Sequence, residues 1–171
     1  MYKKMYKKLM RSVFCVLGIA VFLFAAAQAA IAADKLVLSN EVFQEVEVTD
    51  SEGKKEMKQI PVSTAFPRAE LIYVITYKNT GDKAAEDVVI NNPLSKELLY
   101  KDQSGKGENA AFFVSVDGGK TYGDLATLRI PTTAGAFRPA QLDDITDLQF
   151  KLKKQVKPQE GGSVSFRAVL K

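Results

Sequence analysis

The side chains of this 171-residue chain that could do chemistry are carboxylates, tyrosines, lysines and serines. Histidine is absent and the single cysteine, Cys15, lies near the N-terminus. The rest of the chain therefore lacks the commonest general base, the thiolate nucleophile and the usual zinc ligands. A glycosidase would need two carboxylates that face each other across a cleft, and the acids here are spread over apparent turns and exposed strand faces. The sequence predicts no catalytic residue, no cofactor site and no enzyme activity.

Two acidic clusters are the only groups of acids that could gather oxygen ligands for calcium. The clusters are Asp82 with Glu86 and Asp87, and Asp143 and Asp144 with Asp147. Neither cluster has the spacing of a known calcium-binding loop. We therefore predict that both are solvated loop charges and that the chain has no metal site.

A basic stripe lies near the C-terminus. It consists of Lys151, Lys153, Lys154 and Lys157. Strand alternation exposes the first two lysines, and the predicted role of the stripe is a solvated face that discourages pairing at a sheet edge. Contact with an anionic lipid or a polysaccharide is the alternative.

A short motif between two strand candidates resembles the Asp-box hairpin that recurs in sialidase propellers. It reads Ser115-Val-Asp117-Gly-Gly119-Lys-Thr121-Tyr122. In those propellers the box is a structural turn, whose Asp side chain bonds backbone groups while its aromatic residue packs underneath. A single copy cannot build a propeller, which needs several blades. We predict a hairpin turn here, with carbohydrate contact as the alternative.

The elements that position these residues are predicted to be strands. From Leu36 onward, apolar residues recur mostly at spacing two, in short runs separated by Gly, Pro, Asn and Asp, which is typical of half-buried strands. The candidates are residues 42–48, 57–62, 71–77, 88–90, 98–100, 112–116, 128–130, 148–152 and 164–170. Eight or nine strands without a strong helical period predict an all-β fold, a two-sheet β-sandwich.

Three local arrangements follow from the same pattern. The run at 71–77 is apolar on both faces, which predicts a central strand covered on each side, or a strand close to a sheet edge that packs on a neighbour. Two hairpins are predicted: 148–152 with 164–170, and 42–48 with 57–62 in a register that sets Glu45 opposite Lys58 and Glu47 opposite Glu56. The stretch 132–144 is predicted to be a loop with one short helical turn near Leu142.

A longer motif resembles the signature of a bacterial surface-protein repeat, the domain of unknown function number eleven. It reads Tyr73-Val-Ile75-Thr-Tyr77-Lys-Asn79-Thr-Gly81, then Ala84, then Val88-Val-Ile90-Asn-Asn92-Pro93. The resemblance implies an immunoglobulin-like sandwich in an exported or envelope protein, present here as a single copy. The chain departs from the family at Asn92, where Asp is usual. Asn79 and Gly81 suit a tight turn and Pro93 ends a strand, so the motif is interpreted as structural.

Residues 1–33 have the pattern of an export signal. Five basic residues before Ser12 precede a continuous apolar run at 13–27, and small-residue cleavage sites follow at 27–29 and 30–32. Cys15 lies inside this run and is interpreted as an apolar filler. Because residues 12–33 carry no charge, an uncleaved signal anchor is the alternative. Both interpretations place a single β-sandwich domain, residues 34–171, outside the cytoplasm.

Removal of that segment reverses the charge balance. All 20 acidic residues lie after Ala33, whereas 5 of the 24 lysines and arginines lie before it, which leaves a formal charge of −1 on residues 34–171. The sequence therefore gives no support for nucleic-acid binding, which needs a basic excess.

The predicted function is that of a periplasmic or extracellular, non-enzymatic β-sandwich protein of the cell envelope. It would be a structural or protein-interaction module whose partner is an envelope protein or surface component, with membrane contact only through an uncleaved N-terminal segment. The alternative is a binding protein for a small ligand, carbohydrate or ion, which would use the 132–144 loop with the Asp117 hairpin as a rim.

Overall fold

The computed structural model describes residues 36–62, 64–133 and 135–171. The strands are β1 Leu36–Thr49, β2 Lys55–Pro61, β3 Glu70–Asn79, β4 Val89–Pro93, β5 Leu98–Tyr100, β6 Lys106–Gly107, β7 Ala110–Ser115, β8 Arg129–Pro131, β9 Phe137–Pro139, β10 Asp147–Leu152 and β11 Gly161–Leu170. Two 3₁₀ turns, Leu125–Thr127 and Leu142–Asp144, are the only helical elements in this part of the chain. The predicted signal segment and its alternative, a signal anchor, lie outside the described residues.

The predicted all-β class is confirmed, with eleven strands in the described ranges instead of eight or nine. The two additional strands, β6 and β9, have two and three residues. Strands this short show no alternation that a sequence pattern could reveal. β9 lies inside the stretch predicted to be a loop, and the short helical turn predicted near Leu142 is present.

The strands form two antiparallel sheets that pack against each other as a β-sandwich. The larger sheet has the order β2-β1-β3-β11-β5, with β6 also paired to β11, and the smaller has the order β4-β10-β7. β8 and β9 form a separate hairpin. β3 lies between β1 and β11, so of the two arrangements predicted for the run that is apolar on both faces, the central one is present.

Aromatic side chains from both sheets fill the core. Tyr73 of β3 stacks on Phe166 of β11 with ring centroids 4.8 Å apart. The ring of Phe112 in β7 lies 5.0 Å from that of Phe150 in β10 and 5.4 Å from that of Tyr100 in β5. Each large apolar side chain buried in this way contributes about 1.5–3 kcal/mol. The core can therefore hold the sandwich together without disulfide bonds.

The predicted C-terminal hairpin is wrong, because its two strands belong to different sheets. β10 pairs with β4 and β7, whereas β11 pairs with β3, β5 and β6. The connection, residues 153–160, is longer than a usual hairpin loop. It is fixed halfway by Val156, which exchanges two backbone hydrogen bonds of 2.9 Å with Ala85. Both strands alternate as predicted, since each turns its apolar face to the core from its own sheet.

The predicted N-terminal hairpin is present, but its register differs by one residue. The observed pairs are Glu45 with Gln59 and Glu47 with Met57, in place of Glu45 with Lys58 and Glu47 with Glu56. The turn sets this register. Asp50 Oδ1 accepts hydrogen bonds from the N–H groups of Glu52 and Lys54, at 2.9 and 2.8 Å, while Gly53 takes a φ of 81°. The resulting loop is one residue longer than the predicted one.

Candidate functional site

The Asp117 hairpin follows β7 and is held together by its own side chains. Asp117 Oδ1 accepts hydrogen bonds from Ser115 Oγ at 2.7 Å, from Lys120 N at 3.1 Å and from Thr121 N at 3.0 Å. Asp117 Oδ2 accepts one from Thr121 Oγ1 at 2.7 Å. These bonds, first of all that from the Thr121 side chain, hold the pKa of Asp117 well below its usual range. The prediction of a structural turn is confirmed.

The acidic clusters are not assembled into a metal site. Asp144 forms a bidentate ion pair with Arg138, with both N–O distances 2.6 Å, and also accepts the Gln141 N–H at 2.8 Å. The Arg138 guanidinium lowers the pKa of Asp144. In residues 36–62, 64–133 and 135–171, no group of three His, Cys, Asp or Glu side chains could hold a metal ion.

A network of charges crosses the outer face of the larger sheet and was not found from the sequence. Arg167 Nη2 lies 2.7 Å from Glu45 Oε1, and Arg167 Nη1 lies 2.9 Å from Glu70 Oε1. Lys101 Nζ extends the network, 2.6 Å from Glu70 Oε2. The network joins β1, β3 and β11, so it fastens the N-terminal hairpin to the sandwich. The outward position of Arg167 in its alternating strand was the available sequence signal.

This network predicts a loss of stability in acid. The Arg167 hydrogen bonds lower the pKa of Glu45 from 4.5 to about 2. The ionised Glu45 therefore adds to the free energy of unfolding above pH 4.5, and this contribution is lost as the pH falls towards 2. We expect Arg167→Met to lower the midpoint of urea unfolding at pH 7, and the difference from wild type to shrink between pH 4.5 and 2. Lys55→Met is the control, because its pair with Glu47 is exposed and is worth about 0.5 kcal/mol or less. An equal effect of both substitutions at pH 7 would contradict the assignment.

The β1–β2 hairpin leaves part of a sheet edge free. β1 pairs with β3 over residues 36–43 and with β2 only over residues 43–49. Val62 donates its N–H to Val42 O, and the direction of pairing alternates along an antiparallel ladder. The backbone groups of Leu36, Leu38 and Asn40 therefore point to the same side of β1 as β2, along the part of β1 that β2 does not reach. No strand in the described part of the chain pairs with this edge.

An open cleft of about 870 Å³ lies at one end of the sandwich. Its walls are β6 with the two residues that follow it, and the β10–β11 connection; the first residues of β11 form its floor. Lys154 and Lys157 of the basic stripe line this cleft, whereas Lys151 and Lys153 do not. Tyr77 and Lys106, which the sequence did not single out, line it too. Only two of the four lysines of the predicted stripe therefore belong to the cleft.

The predicted ligand rim is not part of either described cavity. The second cavity, of about 160 Å³, lies against Tyr100, Phe112 and Leu125. Neither cavity is lined by Asp117 or by residues 132–144.

No protein-family model, no curated protein and no solved structure matches the chain. None of the helical segments in the described residues is long and apolar enough to cross a membrane.

Proposed function

We propose that this chain is an exported, non-enzymatic β-sandwich protein of the cell envelope that acts as a protein-interaction module. The observation that carries the proposal is the free edge of β1. Unpaired N–H and C=O groups along an extended strand are a template for a further strand, and many proteins bind extended segments in this way. The partner that fits this edge is an extended segment of another envelope protein.

The two edges of the hairpin differ in how they are protected. β2 carries charged residues and ends in Pro61, both of which discourage pairing with another strand. The free part of β1, Leu36-Val-Leu-Ser-Asn40, has neither a charge nor a proline. Val37 and Leu38 are 53% and 50% exposed and, as neighbours in a strand, project on opposite faces. An uncharged, apolar strand would match this edge on both faces.

Export is supported by the signal pattern at residues 1–33 and by the resemblance to domain of unknown function number eleven. That resemblance also supports an immunoglobulin-like form of the sandwich. Its Asn79 and Pro93 act structurally, since Asn79 is fully buried and Pro93 ends β4. The family likeness therefore supports the proposed fold and location, whereas the free edge supports the proposed role in protein interaction.

The proposal that the protein is not an enzyme is supported by the exposure and contacts of the two acidic residues that line the cleft. Glu108 and Glu160 line the cleft, but Glu160 is exposed and accepts the Lys157 N–H at 2.9 Å, which closes a turn. They do not form the buried pair of carboxylates that acid–base hydrolysis would need. Binding of a small ligand is the second candidate function, favoured by the cleft itself.

The test of strand addition is site-specific crosslinking in cells. The full chain would be produced in a diderm bacterium with a photo-crosslinking amino acid in place of Leu38 or, as a control, of Lys151. We expect one discrete periplasmic adduct from position 38 and none from position 151, with a mature N-terminus between residues 30 and 34. Mass spectrometry of the adduct identifies the partner segment.

A proline variant distinguishes strand addition from adhesion to an apolar patch. With the crosslinker at Val37, Leu38→Pro removes an N–H that points away from β3, so the sandwich should stay folded while the adduct falls by about tenfold or more. Ser39→Pro removes an N–H that points towards β3 and should instead destabilise the fold. An adduct unchanged by Leu38→Pro would rule out recognition through the backbone edge.

A further inference from the structure

The cleft at the end of the sandwich offers several cationic groups without protein partners. Lys106, Lys154 and Lys157 line it and are all exposed. None of them forms an ion pair with another residue in the described ranges. The three lysines come from two separate segments of the chain and line one cavity. They supply point charges for an anionic group.

A neutral donor, the Tyr77 hydroxyl, belongs to the same cleft. The ring of Tyr77 is buried, with the residue 9% exposed, and Tyr77 lines the cleft. No hydrogen bond to its hydroxyl is present in the described part of the protein, and no buried side-chain oxygen there lacks a partner, so the hydroxyl is open to the cleft. Gly162 makes this possible, since a Cβ at that position would lie 2.5 Å from Tyr77 Oη.

The floor of the cleft adds backbone groups. Leu170 donates its N–H to Ala69 O on the β3 side, so even-numbered residues of β11 pair with β3. The backbone groups of Gly161 and Ser163 therefore face the opposite side, where β6 pairs only with Val164 and Ser165. These groups project towards the cleft and can bond a ligand.

The two acids of the cleft decide between classes of anion. Glu108 and Glu160 would repel a dense polyanion such as a nucleic acid or a polyphosphate. Carboxylates do accept hydrogen bonds from hydroxyl groups, and burial together with these two acids raises the pKa of Tyr77, so its hydroxyl keeps its proton. The balance of groups suits a ligand whose anionic groups are isolated from one another by several hydroxyls.

We propose that this cleft binds an acidic saccharide, with one of its anionic groups against Lys106, Lys154 and Lys157 and its hydroxyls against Glu108, Glu160 and the Tyr77 hydroxyl. The cavity volume lies within the range of about 300–1,000 Å³ that is typical of small-molecule sites. This site goes beyond the proposed function, because it lies apart from the β1 edge and does not depend on strand addition.

The test is the binding of a galacturonate trimer to the protein purified after expression of the full chain, measured by titration calorimetry. Maltotriose is the uncharged probe and inorganic phosphate the bare anion. We expect saturable binding of the galacturonate trimer that weakens as NaCl rises, with no measurable binding of the other two. The double variant Lys154→Gln/Lys157→Gln should weaken binding by about tenfold or more.

Two controls separate a local site from general charge. The variant Lys58→Gln/Lys151→Gln removes the same charge from exposed positions outside the cleft and should change the affinity less than about twofold. Tyr77→Phe keeps the buried ring and should weaken binding several-fold, and Leu38→Pro should not affect it. The proposal is overturned if the galacturonate trimer does not bind, if phosphate or maltotriose binds as tightly, or if both double variants have equal effects.

Discussion

Asn79→Ala is expected to destabilise the protein by about 3–4 kcal/mol. The Asn79 side chain is fully buried, and its Nδ2 donates to Lys83 O at 2.7 Å and to Val156 O at 2.8 Å. Its Oδ1 accepts the Gly81 N–H at 2.9 Å. Alanine would remove the partner of the buried Val156 O and of the partly buried Lys83 O and Gly81 N–H. A buried unpaired group costs about 1–3 kcal/mol, and the two partly buried groups add to this cost. One amide thus fixes the β3–β4 loop against the β10–β11 connection.

The measurement is urea unfolding at pH 7, with Asn92→Ala as the matched control. Asn92 belongs to the same motif, but its only described side-chain bond is an exposed one to Pro93 O at 3.1 Å, so its loss should cost about 0.5 kcal/mol or less. Asn79→Asp should be at least as harmful as Asn79→Ala, because a carboxylate would face two carbonyl oxygens without the amide donors. Similar stabilities for Asn79→Ala and Asn92→Ala would show that the amide does not fasten the loop.

The sequence predicted this part of the fold well because its signals are local. The apolar pattern on both faces of β3 matches the burial of Ile72 and Ile75, which lie on opposite faces of the strand. The turn after Asn79 is recognisable from residues close to it in sequence. The Asp117 turn was predictable for the same reason, since its bonds join residues 115–121. Local hydrogen-bonding chemistry can be recognised in a single sequence.

Pairing between distant strands could not be predicted in the same way. The alternation of β10 and β11 shows that each has one apolar face, but it does not specify the partner strand, so two neighbours in sequence were assigned to one sheet. The register of the β1–β2 hairpin depends on the length of the Asp50 turn. A change of one residue in that length shifts the register by one and moves every side chain to the opposite face. Which strand pairs with which is determined by the whole fold and cannot be recognised from the pattern of one strand.

The cleft illustrates the same limit. Lys154 and Lys157 were recognised as part of a basic stripe, but the other wall is formed by Lys106 of β6, which lies far away in sequence. β6 has only two residues, too few for a period to show. Tyr77 was expected to belong to a central strand, and it does, while its hydroxyl reaches the cleft only because Gly162 leaves room for it.

Phe150→Ala is expected to cost about 3–5 kcal/mol, the usual range for a large aromatic side chain removed from a core. Phe150 is fully buried in the middle strand of the smaller sheet, opposite Ile90 of β4 and Phe112 of β7. Its ring contacts that of Phe112. Alanine would leave a cavity where the smaller sheet meets the larger one, and the surrounding side chains could close it only in part.

Phe137→Ala is the matched control, because Phe137 is 70% exposed in the separate β8–β9 hairpin and its loss should change stability by about 0.5 kcal/mol or less. Calorimetric unfolding of both variants measures this difference, and equal stabilities would refute the burial of Phe150 in the core of the sandwich.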